Sequence, residues 1–205
     1  MHLEIGVQLQ ICCIPGGMNI EAALFPQFLI LKFNSMATTQ KISSNLWFAY
    51  EAEDAANYYV SIFKNGKMKK IARYGKEGYD IHKMPEGTVM TVEFELEGQT
   101  FVALNGGPVF KFNEAVSFIV NCDTQEEIDY YWNELSRGGD KNAQQCGWLK
   151  DKYGLSWQIV PRQLSEMMSD QATERSESVM KAMLQMKKLD IKKLEEAYNG
   201  EAVLS

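Results

Sequence analysis

The feature that most narrows what this 205-residue chain can fold into is an internal repeat. Shifting residues 45–66 forward by 72 positions lays NLWFAYEAEDAANYYVSIFKNG onto SFIVNCDTQEEIDYYWNELSRG. Tyr58-Tyr59 then falls on Tyr130-Tyr131, Asp54 on Glu126, Phe63 on Leu135 and Gly66 on Gly138. Each copy reads as a strand, an acidic helix start and a helix of about ten to twelve residues, because carboxylates favour the positive end of a helix and Gly supplies a stop. Ala55, Ala56, Tyr59 and Phe63 recur at helical spacing, as do Ile128, Tyr131 and Leu135.

A hairpin closes each copy. Val92, Phe94 and Leu96 alternate with Thr91, Glu93 and Glu95, and the chain turns at Gly98 into Phe101 to Leu104. In GWLKDKYGLSWQIVP the turn is Gly154, leading into Leu155 to Val160 and ending at Pro161. Gly98 and Gly154 are 56 residues apart, so the first copy holds 16 more residues between helix and hairpin. Part of that excess, MKKIARYGKEGYDIHKMPEG, predicts a strand followed by a surface loop. The fold class expected is α+β: two tandem βαβββ modules, about 42–107 and 114–161, joined at LNGGP within a paired domain 36–161.

Beyond Pro161 the pattern changes to a helical extension, 162–205. Val179, Met180, Met183, Leu184 and Met186 form an apolar stripe, with Thr173 or Ser176 available as a cap. Asp190 can cap a last helix, IKKLEEAY, that stops at Asn199-Gly200. The methionines read as gap-filling core rather than a promiscuous groove. Residues 1–35 differ from the rest. Only Glu4, Glu21 and Lys32 are charged there and no period persists, so the segment is expected to be an appended or upstream-translated extension, the alternative being an extra edge strand around Phe28 to Phe33.

Charge and cysteine content exclude several roles. Lys plus Arg is 21 and Asp plus Glu 27, a net charge of −6, which opposes the counterion displacement that nucleic-acid binding needs. Cys12, Cys13, Cys122 and Cys146 form neither a disulfide framework nor a CxxC pair, so a reducing, cytoplasmic setting is expected. The apolar stretch from Ile20 to Phe33 is interrupted by Glu21, Pro26 and Gln27, too short for a bilayer and without a basic flank, so no membrane partner is expected.

Paired βαβββ modules, an A-x-x-[aromatic]-Y helix and the run CGWLKDKYGLSWQIVP from Cys146 to Pro161 resemble the PhnB-like branch of the vicinal oxygen chelate superfamily, the glyoxalase and bleomycin-resistance fold. The resemblance runs from about Ile42 to Tyr198. It implies that each module curls into a half-barrel and that the two make a cleft, often completed by dimerisation. Some relatives carry the label 3-demethylubiquinone 3-methyltransferase-like. A conventional methyltransferase holds S-adenosylmethionine at a Gly-rich loop after a parallel strand. Gly106-Gly107 and Gly138-Gly139 instead read as a linker and a helix stop, so the label reads as inherited wording and no cofactor is expected.

Active members of the superfamily hold a divalent metal with His and Glu or Gln on strands facing the cleft. The matching positions here offer Asn45, Ser117, Val102 and Gln158, a weak neutral set, and the chain has two histidines, His2 and His82. No metal ligands and no catalytic residues are assigned, although His82 or Glu93 could enter from another direction. Strand alternation puts Leu46 and Phe48 toward the helices, leaving Asn45, Trp47, Thr91, Glu93, Ser117 and Gln158 on the concave side as ligand-binding candidates. A homodimeric, metal-independent module for a small, partly aromatic molecule is the favoured reading. The alternative is a metal-dependent lyase, isomerase, dioxygenase or thiol transferase with Glu93 as base.

Overall fold

Two sheets carry the fold, one per module, in a computed structural model that describes residues 40–169 and 173–200. The expected extension 1–35 lies outside the described residues. In the first module β1 (Ser44–Phe48) leads into α1 (Ala52–Ile62), followed by β2 (Lys67–Arg73), a short α2 (Tyr79–His82), β3 (Val89–Leu96) and β4 (Gln99–Asn105). The sheet order is β1-β4-β3-β2, with β1 parallel to β4 and the rest antiparallel. The second module runs β5 (Ser117–Cys122), α3 (Gln125–Ser136), a 3-10 turn at Lys141–Ala143, β6 (Trp148–Lys150) and β7 (Ser156–Pro161).

This second sheet has the order β5-β7-β6, with β5 parallel to β7, and so keeps the topology of the first with one strand fewer. The shorter helix-to-hairpin segment, residues 137–147, forms a 3-10 turn and loop in place of the outer strand. The C-terminal extension occupies part of that edge. It comprises α4 (Gln163–Met167), α5 (Glu174–Leu184) and α6 (Ile191–Asn199), and its carbonyls at Met186 and Lys187 accept hydrogen bonds of 2.8 and 2.7 Å from Cys146 and Gly147, just ahead of β6.

Helix boundaries follow local chemistry. Thr124 caps α3 by accepting from the Glu127 amide, one of the free helix donors, and the Glu127 carboxylate accepts from the Asp123 amide just ahead of the cap, a close variant of the reciprocal capping box. Thr173 caps α5 and Asp190 caps α6, which ends at Gly200 in the left-handed region. Helix α1 differs, because Glu51 makes no side-chain cap; the Asn105 amide at the end of β4 accepts from Ala52 N at 2.8 Å instead.

The core joins both modules. Leu46, Phe48, Ala55, Ala56, Tyr59, Phe94, Ile128, Leu135, Trp157 and Ile159 belong to one buried cluster. A separate cluster, built on Met167, Val179, Leu189 and Leu194 with Met168, Met183 and Met186 beside it, holds the C-terminal helices. The stripe on α5 is therefore split, Met180 and Leu184 pointing to solvent. Across the module interface the repeat exchanges equivalent bonds: Tyr58 Oη donates to Glu134 O at 2.6 Å and Tyr130 Oη to Ile62 O at 2.9 Å. Both donors and both acceptors are 72 residues apart, so the two modules meet about a local two-fold relation. Among the described residues no helix is long and apolar enough to cross a membrane.

Candidate functional site

Register gathers four of the six candidate residues. Asn45 lies opposite Val102 and Val102 opposite Glu93, forming one row across β1, β4 and β3. Trp47, Leu104 and Thr91 form the next row. Residues in register share a face and successive residues alternate between faces, so all four candidates lie opposite Leu46, Phe48, Val92 and Phe94, which enter the core. Asn45 is exposed and the other three are half-buried. On this face Glu95 is engaged by Lys69 at 2.5 Å, which holds its carboxyl below the usual range; Glu93 has no ion pair among the described residues.

The remaining two candidates sit together on the second sheet, where Gln158 Nε2 donates to Ser117 Oγ at 2.8 Å. Ser156, in register with Ser117, has a buried hydroxyl without a hydrogen-bond partner among the described residues. Such an atom costs about 1–3 kcal/mol while unsatisfied. Trp47 is committed in part to structure: its indole N–H donates to Gly107 O at 2.8 Å and its ring meets Phe110 edge-on. A Cβ on Gly106 would come within 2.2 Å of the indole, so only glycine allows the linker to lie across Trp47.

The donor chemistry does not fit the divalent metal that the resemblance implies. Asn45, Val102, Ser117 and Gln158 supply two amides, a hydroxyl and a hydrocarbon, and the Gln158 amide is already bonded to Ser117. His82 is engaged at both nitrogens, Nδ1 accepting from Met84 N at 3.0 Å and Nε2 lying 3.1 Å from Glu77 O, while its ring packs on Tyr74. Among the described residues no three His, Cys, Asp or Glu side chains gather around a common point. Cys122 is fully buried, and burial pushes its thiol up to about 12, which removes it as a nucleophile.

Asp151 is the residue that sequence reasoning missed. Its buried carboxylate accepts from Tyr59 Oη at 2.8 Å, Trp157 Nε1 at 2.9 Å, Tyr153 N at 2.8 Å and Leu155 N at 3.0 Å. Burial pushes the Asp151 carboxyl above its usual range, and the four hydrogen bonds hold it back. The hairpin motif is thereby explained: Asp151, Gly154 and Trp157 build a loop that receives a tyrosine from the other module. Its signal was the lone acid between Trp148 and Trp157. Elsewhere, a groove of about 720 Å³ runs along the free edge of β5 and contains Ser117 alone of the six candidates.

Comparison with known proteins agrees with this architecture. Residues 40–160 match the family described as 3-demethylubiquinone-9 3-methyltransferase. Among solved structures, a PhnB protein from Bacillus cereus described by the same methyltransferase name is 36% identical, with 60% of this chain and 99% of that chain covered and a TM-score of 0.52. The fosfomycin resistance protein FosX from Listeria monocytogenes is 12% identical, with 63% and 96% covered and a TM-score of 0.44. A search of curated proteins finds no match. Helices α4 to α6 lie beyond the matched residues. With more than half its length matched and the hairpin motif in place, the chain belongs to the 3-demethylubiquinone-9 3-methyltransferase family, the PhnB-like branch of the vicinal oxygen chelate superfamily.

Proposed function

We propose that this protein binds a small, partly aromatic metabolite or toxic compound on the polar faces of its sheets, without a catalytic metal, as a cytoplasmic homodimer. The observation that carries this reading is the gathering of Asn45, Thr91 and Glu93 with Trp47 on one face, in two adjacent rows. A hydrogen-bonding set beside an aromatic ring suits a ligand with a flat body and a few polar groups. Ser117, Gln158 and the unpartnered Ser156 hydroxyl supply a second polar set, and a dimer that brings the two faces together would complete the cleft. Methyl transfer is not proposed despite the family's description. Gly106-Gly107 lies across Trp47 and Gly138-Gly139 follows α3, so neither pair forms a phosphate- or nucleoside-holding loop between a parallel strand and a helix.

The test is ligand-induced thermal stabilisation of the purified protein against a metabolite library, with metal content measured on the same sample. A true ligand at about 100 times its Kd stabilises by about 2.7 kcal/mol. Glu93→Gln and Asn45→Ala should weaken that response while leaving the unliganded protein's stability nearly unchanged. Metal at one equivalent per chain, lost on Glu93→Gln or Gln158→Leu, would replace this reading with the metal-dependent enzyme.

A further inference from the structure

The groove along β5 is where the local two-fold relation between the modules breaks. Tyr59 in the first module donates its hydroxyl to Asp151 in the hairpin of the second. Its repeat counterpart, Tyr131, faces the hairpin of the first module, but that hairpin closes with the two-residue turn Glu97-Gly98, both at positive φ, and the turn's carboxylate, Glu97, is bonded to Asn65 N and Nδ2 at 3.2 and 2.8 Å rather than to the tyrosine. Where one side has Trp157, the other has Phe101. Tyr131 Oη makes no hydrogen bond among the described residues, and the space that Asp151 and its loop fill on one side is open on the other.

Two half-buried rings, Phe118 and Tyr131, open onto this groove, and the core rings of Phe63, Phe101 and Trp157 lie buried behind them. Its charged groups are Glu97, Asp123, Glu127, Lys64 and Arg162. Asp123 and Arg162 pair with each other at 2.6 Å; Glu97 accepts from Asn65 N and Nδ2 and Glu127 from the Asp123 amide, neutral donors that leave both carboxylate charges in place beside the exposed Lys64. The Tyr131 hydroxyl is pushed up to about 12 by burial and then by Glu97 and Glu127, so the field at the floor is negative. Aromatic faces attract cations, and a volume of about 720 Å³ accommodates a small organic molecule.

We infer that the groove between β5 and the Glu97-Gly98 turn is a second binding site, for a protonated amine attached to a flat apolar body. The ring system lies over Phe118, and the ammonium donates to Tyr131 Oη and is drawn by Glu97 and Glu127. The site is separate from the face carrying Asn45 and Glu93.

The experiment is calorimetric titration of the full chain with 2-naphthylmethylamine, with the neutral 2-naphthalenemethanol and the anionic 2-naphthoate as comparisons. The amine should bind once per chain, at least about tenfold more tightly than the alcohol, with the carboxylate weakest. Glu127→Gln retains the helix-capping contact and should weaken amine binding about fivefold or more; Tyr131→Phe should do the same. Near-ultraviolet circular dichroism checks that both variants are folded. Equal affinity for amine and alcohol, no amine binding at millimolar concentration, or full affinity in both variants would overturn the inference. So would loss of amine binding in Glu93→Gln with Glu127→Gln unaffected, which would move the amine to the sheet face and leave the first proposal standing.

Discussion

A single carboxylate ties the two modules together. Asp151 accepts four hydrogen bonds, one of them from Tyr59 across the interface; three of the four are buried and the Tyr153 amide bond is partly so. Asp151→Ala leaves all four donors unsatisfied and should cost about 3–5 kcal/mol, read from the shift in urea midpoint. A cost under about 1 kcal/mol would mean that the loop re-forms without its centre. The motif around Asp151 was legible as a family mark, yet its purpose was not. A sequence shows that an acid stands between two tryptophans, whereas the Tyr59 hydroxyl that it receives lies 92 residues away. The same limit applies to Trp47, whose aromatic character was plain and whose bond to Gly107 was not.

Between elements, the informative junction is Gly147. It stands at φ +83 just ahead of β6, donates to Lys187 O, and a Cβ there would meet Ile159 O at 2.9 Å and Leu189 Cδ1 at 3.1 Å. The C-terminal helices dock at this point, with Gln125 holding Leu189 O and Ile191 N from α3. Gly147→Ala adds a strained left-handed conformation to a steric clash and should cost about 1–3 kcal/mol. Hydrogen exchange should locate the effect, with faster exchange in α5 and α6 and little change in β1 to β4. Uniform acceleration throughout the chain would show instead that the helices and sheets unfold as one unit. The strands and helices themselves were readable because alternation and 3.6-residue periodicity are local. The missing outer strand was foreshadowed by the short second copy, but its replacement by Met186 and Lys187 was not, since no local pattern marks a carbonyl as the partner of a distant amide.

Over the whole molecule, buried proton-bearing groups set the response to alkali. Burial, reinforced by the Asp151 charge, holds the Tyr59 hydroxyl well above its ordinary value of 10.0, and burial raises Cys122 from 9.0 to about 12. The folded chain keeps protons that the unfolded chain releases from those ordinary values upward. Their contribution is therefore intact below pH 9 and is lost as pH rises, by up to about 1.4 kcal/mol per pH unit for each group. Urea midpoints should be level to about pH 9 and fall beyond it, and Cys122→Ala should delay the onset toward pH 10. A midpoint level through pH 11 would remove both groups from the account.

The repeat, the two turns and the hairpin motif were sufficient to establish the class of fold, its family and the face on which Asn45, Trp47, Thr91 and Glu93 lie. These depend on covalent alternation over a few residues, which any strand of that pattern must obey. Tertiary packing decided the rest: the reciprocal bonds of Tyr58 and Tyr130, the burial of Asp151 against Tyr59, and the open groove where Tyr131 lacks the same partner. Two modules of similar sequence differ there because a two-residue turn and a longer loop fill space differently, and a volume left unfilled between distant segments has no signature in either of them.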